Sequence, residues 1–116
     1  MATINIDALV NDMKTAASGV LKQDVSALRG FSERQLKAIA QQTKLVATGI
    51  ATRQITKETQ DFFLDSLEEM ALSFVRTLHG LLMVTIEKVW NAVVGVIWTT
   101  LSKVTGLALP SPVLGD

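Results

Sequence analysis

The sequence predicts an all-α protein, and three observations carry that prediction. Apolar residues recur every three or four positions through most of the chain, a helix-capping pattern follows Gly30, and the two prolines lie only near the C-terminus. We expect two amphipathic helices at about 7–29 and 33–54, a long apolar helix at about 58–104, and an extended tail. Residues 1–106 would form a single helical domain and 107–116 the tail.

The composition excludes several classes of function. The chain has 116 residues, 48% of them hydrophobic, a formal net charge of zero and no cysteine. Disulfide frameworks, iron–sulfur clusters and cysteine nucleophiles all need a residue that is absent. No basic cluster followed by an apolar run opens the sequence, so we expect cytoplasmic synthesis without a signal peptide.

The first helix is predicted from an amphipathic pattern. Ile6, Leu9, Met13 and Ala17 recur at helical spacing with charged residues between them, and the pattern continues to Leu28. Gly30 would supply the left-handed stop.

The second helix has the clearest local signal in the sequence. Ser32 and Gln35 have the spacing of a capping box, and Phe31 and Leu36 that of a hydrophobic staple. A tight junction between two helices is therefore expected. The apolar side of the second helix is predicted to consist of Leu36, Ile39, Ala40, Leu45, Val46, Ala47 and Ile50.

The boundary before the third helix is less distinct. Residues 51–61 are almost wholly polar and contain neither Gly nor Pro, which is typical of a loop or of a solvated stretch of continuous helix. We favour a break near Thr56, whose hydroxyl can cap a helix.

The third helix is predicted from apolar positions that step by three or four from Leu64 to Val104. Unbroken, it would reach ~65–70 Å, which is long for a compact domain. We therefore expect a bend at Gly80 or Gly95, or a helix that projects into an assembly. Strands over residues 84–105 are the alternative, because Val, Ile and Thr are frequent there. The absence of alternation and of a hairpin dipeptide favours helix.

The zero net charge conceals a strong segregation. Residues 29–57 contain six basic side chains and one acidic one, whereas residues 58–69 contain five acidic side chains and no basic one. The blocks could be solvated faces, could attract an anionic lipid surface, or could bring copies of the chain together. Nucleic acid is disfavoured because no aromatic residues interleave with the bases. The predicted anionic-surface contacts are Arg34, Lys37, Lys44 and Arg53.

The long apolar helix carries a narrow polar stripe. Its members are Glu69, Ser73, Arg76, Glu87 and Asn91. Because the first two helices are about half as long as the third, they would leave much of its apolar surface uncovered in a monomer. We therefore expect a homo-oligomer. Its predicted interface consists of Leu67, Phe74, Leu78, Leu82, Val89, Val93 and Ile97.

No motif indicates catalysis. His79 is the only histidine and has no metal-ligand partner at helical spacing, and neither a phosphate-binding loop nor a nucleophile elbow is present. We expect no enzyme, cofactor, metal or small-molecule substrate. The favoured function is a structural or assembly subunit that associates with a membrane or a larger particle, for example a virion or a membrane complex. The alternatives are a pore-forming or lysis-type protein and a soluble adaptor that binds a partner helix.

Overall fold

The computed structural model describes residues 4–27, 31–81 and 86–112, apart from the side chains of residues 78–81 and 86. All regular structure in these ranges is helical, as the sequence predicted. The elements are α1 (Ile6–Leu21), a short 3-10 turn (Val25–Ala27), α2 (Glu33–Ala51), α3 (Lys57–Leu81) and α4 (Ile86–Thr105). Residues 106–112 follow without helix.

Helix α1 is shorter than predicted. It ends at Leu21, where Lys22 adopts a left-handed conformation (φ 57°) and its N–H donates to the Ser18 carbonyl. The Ser18 hydroxyl then accepts a hydrogen bond from the Val25 N–H at 3.0 Å, which secures the 3-10 turn. Val25 is fully buried, so the apolar spacing continues past the true end of the helix. Gly30, the predicted stop, lies outside the described residues.

Local capping signals define both ends of the α2–α3 connection. The Ser32 hydroxyl accepts from the Gln35 N–H at 3.1 Å and begins α2, although the Gln35 amide donates to Ser73 of α3 instead of closing the box. Helix α2 ends at Ala51, three residues before the predicted end. Helix α3 begins directly after Thr56, whose hydroxyl accepts from the Thr59 N–H.

The single long helix predicted over 58–104 is wrong. Helix α3 ends at Leu81, one residue after Gly80, and α4 begins at Ile86 and continues without interruption through Gly95. The described chain measures 41 × 31 × 20 Å, so a straight helix of ~65–70 Å would not fit within it. Helix α4 instead packs against α1, α2 and α3.

The core surrounds α4. Seven of its side chains are buried, including both tryptophans, and they meet the apolar faces of the other three helices. Phe31 and Phe74 join the start of α2 to α3 through an edge-to-face contact with ring centroids 6.2 Å apart. The α4 residues in this core are Val89, Trp90, Val93, Val94, Ile97, Trp98 and Leu101.

The tail lies back along α4. Gly106 has φ 73° and ends the helix, and the Leu109 N–H donates to the Ser102 hydroxyl at 3.3 Å. Further along, the Pro112 carbonyl accepts the indole N–H of Trp90 at 3.1 Å. Residues 106–112 therefore contribute to the packing of α4, with Leu109 partly buried against the core. Residues 113–116 of the predicted tail lie outside the described residues.

Candidate functional site

Five of the seven predicted interface residues lie in the core of a single chain. The structure places Leu67 and Phe74 on α3, and Val89, Val93 and Ile97 on α4, each at most 1% exposed. The side chain of Leu78 and the whole of Leu82 lie outside the described residues. The expected shortage of cover in a monomer depends on one long rod, and folding that rod into α3 and α4 lets each half cover the other.

The predicted polar stripe is divided between two helices. All five of its residues are exposed, but Glu69, Ser73 and Arg76 belong to α3 whereas Glu87 and Asn91 belong to α4. The α3 members border a shallow groove together with Leu72 and Thr77. The stripe is therefore solvated surface on two separate elements and does not line one continuous path.

Three of the four predicted basic contacts share the exposed face of α2. Arg34, Lys37 and Lys44 fall within about 80° of one another around the helix, and each is exposed. Arg53 lies instead in the turn after α2, with φ 64° and its N–H donating to the Ile50 carbonyl. Arg53 is exposed but does not belong to the α2 row.

Two large apolar side chains are exposed beside this basic row. Leu45 of α2 is 67% exposed and Phe62 of α3 is 73% exposed, and Phe62 makes a T-shaped contact with Phe63. The prediction that Leu45 belongs to the buried side of α2 is wrong. It follows Leu36 by nine residues and so lies on the opposite side of the helix, a signal that the sequence contains.

The exposed surface of α3 is acidic next to Phe62. Glu58, Asp61, Asp65 and Glu69 are all exposed there. Glu68 is half-buried beside them, and burial, with a smaller contribution from the Asp65 charge, raises the pKa of its carboxyl above the ordinary glutamate value. The acidic block of the sequence thus becomes an acidic face next to a basic one.

We call the exposed surface shared by α2 and α3 the outer face. Its charged side chains form no ion pair with any described residue; the one ion pair in the described chain joins Lys14 and Glu33 at 2.8 Å, and its hydrogen bond lowers the pKa of Glu33. The outer face consists of Arg34, Lys37, Ala38, Gln41, Lys44 and Leu45 from α2, and of Glu58, Asp61, Phe62, Asp65, Glu69 and Ser73 from α3.

The described residues hold no cluster of three or more His, Asp or Glu side chains suited to a metal. The grooves are lined by isolated charges and hydroxyls, as in the one of about 570 Å³ formed by Arg53, Lys57 and the apolar side chains of the turn and tail. Over the described part of the chain, the helices are too short or too polar to qualify as membrane spans. Comparison with protein-family models, with curated proteins and with solved structures found no match for this chain.

Proposed function

We propose that the protein is a non-catalytic structural subunit that assembles with other copies of itself through the outer face. The observation that carries this proposal is the exposure of Leu45 and Phe62 between a basic and an acidic row. Large apolar side chains surrounded by charged ones are typical of a protein contact surface with a polar rim. Oligomerisation is thus retained from the sequence, but its surface is moved from α3–α4 to α2–α3.

The opposite charges favour self-assembly. A surface that carries both signs in separate rows can match a second copy of itself, whereas an anionic partner would attract α2 and repel α3. Since neither row is neutralised by described residues of its own chain, both remain available to a partner.

Sedimentation velocity of the full chain tests the proposal. The average sedimentation coefficient should rise with protein concentration, and the variant with both Leu45→Ser and Phe62→Ser should remain a monomer over the same range. Leu107→Ser is the matched control, because Leu107 is 42% exposed but lies on the tail. A wild-type chain that stays monomeric at every concentration would refute the assembly function.

A second candidate function is binding to an anionic membrane surface through the basic row of α2. Three exposed cations beside Leu45 support it, because each Lys or Arg near an anionic bilayer contributes ~1 kcal/mol. Co-sedimentation with phosphatidylserine-containing vesicles should exceed that with phosphatidylcholine vesicles and decrease in K37E/K44E. Equal binding to both vesicle types would exclude this function.

A further inference from the structure

The register between α2 and α3 is fixed at both ends of the helix pair. The Gln35 amide of α2 donates to the Ser73 hydroxyl of α3 at 3.3 Å, and at the other end the Ile55 N–H donates to the Gly49 carbonyl. The helices therefore run antiparallel, and each step forward along α2 corresponds to one step back along α3. Leu45 then lies at the level of Phe63, about 1.5 Å along the axis from Phe62.

The same register orders the charges along the face. Lys44 is level with Leu64, one residue from Asp65, and Lys37 is level with Ala71, two residues from Glu69. These offsets amount to about 1.5 and 3 Å along the helix axis. Each of the two lysines on α2 thus has an acid at nearly its own height on α3.

The charges also have a defined order across the face. Lys37 and Lys44 border a groove with the N-terminal residues of α1, on the side of α2 that is away from α3. Ala38, on the opposite side of the row, borders a groove with Ser66 and Glu69 of α3. Leu45 lies seven residues after Ala38 and so shares its side of α2. The apolar pair is therefore central and the basic row peripheral.

A two-fold axis parallel to the helices makes this face complementary to itself. Rotation about such an axis, placed between α2 and α3, lays α2 of one copy over α3 of the other at unchanged height. Lys44 then faces Asp65 of the second copy, and Leu45 faces Phe62. An axis perpendicular to the helices would instead lay α2 over α2 and bring the basic rows together.

We propose that two copies of this chain pair through their outer faces about a two-fold axis parallel to α2 and α3, with Leu45 of each copy against Phe62 of the other. This inference rests on the proposed self-assembly and specifies its geometry. Helix α2 has 19 residues, so two helices side by side offer ~500 Å² per copy. That area lies near the lower limit for specific interfaces, so the dimer is weak and depends on concentration.

Disulfide trapping tests the geometry, and the chain contains no native cysteine to interfere. Leu45→Cys and Phe62→Cys chains, one carrying a length tag, are oxidised separately and as a mixture. The mixture should yield mainly the heterodimer, in which the disulfide joins position 45 of one chain to position 62 of the other. Each variant alone should cross-link slowly, because identical positions lie about one interhelical distance (~8–10 Å) apart, beyond the ~7 Å limit for a disulfide.

Asn91→Cys, on an exposed position of α4, gives the rate of random collision. Equal cross-linking of Leu45→Cys with itself would overturn the proposed axis, and so would a mixture that reacts no faster than the Asn91→Cys control. If sedimentation shows oligomers but the disulfides follow another pattern, self-assembly stands and this geometry fails. If the wild type is monomeric, both fail.

Charge variants provide a second test that does not depend on cysteines. K37E/K44E and D65K/E69K should each dimerise about tenfold or more weakly than the wild type, and their mixture should recover a heterodimer. At the other end of the face, Arg34 and Arg76 occupy nearly the same height, so pairing brings like charges together. Arg76→Glu should therefore tighten the dimer by about twofold to fivefold. No recovery in the mixture, or weaker pairing of Arg76→Glu, would contradict the proposed arrangement.

Discussion

Helix α4 and the outer face of α2–α3 present opposite solutions to the same composition problem. Helix α4 has the higher apolar content, yet seven of its side chains are buried among the other helices. The α2–α3 pair is richer in charge, yet it leaves Leu45 and Phe62 exposed. An apolar segment is therefore a poor guide to an interface when the chain can fold back over it. What identifies a contact surface is apolar area that the fold leaves uncovered.

The largest expected effect separates these two regions directly. Ile97→Ala in α4 should lower the free energy of unfolding by ~2–5 kcal/mol, because it removes three buried carbons and leaves a cavity. Leu45→Ala removes the same number of carbons from an exposed position and should change it by less than ~0.5 kcal/mol. Urea denaturation at protein concentrations where the chain is monomeric measures both.

Similar losses at the two positions would mean that the outer face is not free in the monomer. In that case Leu45 would have to contact the rest of its own chain, and the comparison with α4 would lose its basis. A small loss in Ile97→Ala alone would instead show that α4 is not the centre of the core.

The sequence predicted what neighbouring residues determine. The helical class, the start of α2 at Ser32 and the break at Thr56 each follow from periodicity or from a side-chain cap within four residues. The end of α1 was missed because it depends on the left-handed Lys22 and on the Ser18–Val25 hydrogen bond, which apolar spacing does not encode.

The division between α3 and α4 could not be read from the same pattern. Apolar residues keep their spacing through residues 78–86 and no proline interrupts them, so local periodicity continues where the helix does not. Reversal of the chain depends on the area that α3 and α4 cover by packing together, which is a long-range effect. The basic row of α2 was predicted from charge alone, whereas Phe62 was missed because it lies off the buried stripe that passes through Leu67.

A smaller effect contrasts two helical glycines. A methyl group on Gly49 of α2 would lie 2.5 Å from the Ile55 side chain, at the connection to α3, whereas one on Gly95 of α4 meets nothing within 4 Å. Gly49→Ala should destabilise by ~1–3 kcal/mol through overpacking, and Gly95→Ala should stabilise by ~0.5–1 kcal/mol because alanine favours helix.

Thermal and urea unfolding of both variants measure this contrast. If contact with Ile55 causes the loss, the double variant Gly49→Ala/Ile55→Ala should be less destabilised than the sum of its single changes. Additive losses would place the effect elsewhere. The result also tests whether the turn that sets the register of the outer face is closely packed.

The smallest expected effect concerns the acidic side of the outer face. Burial raises the pKa of Glu68, with Asp65 adding to the shift, so the unfolded chain releases this proton more readily than the folded one. The stability linked to the protonated carboxyl is therefore present below the ordinary glutamate pKa and is lost as pH rises through the folded-state pKa. Glu68→Gln keeps the shape without the charge and should be slightly more stable than the wild type at neutral pH, with the difference disappearing in acid. Glu69→Gln, at a neighbouring exposed position, is the control and should show a smaller difference. A Glu68→Gln advantage that is equal at both pH values would assign the effect to packing, and the acidic row would then carry no electrostatic penalty of its own for a second copy's lysines to relieve.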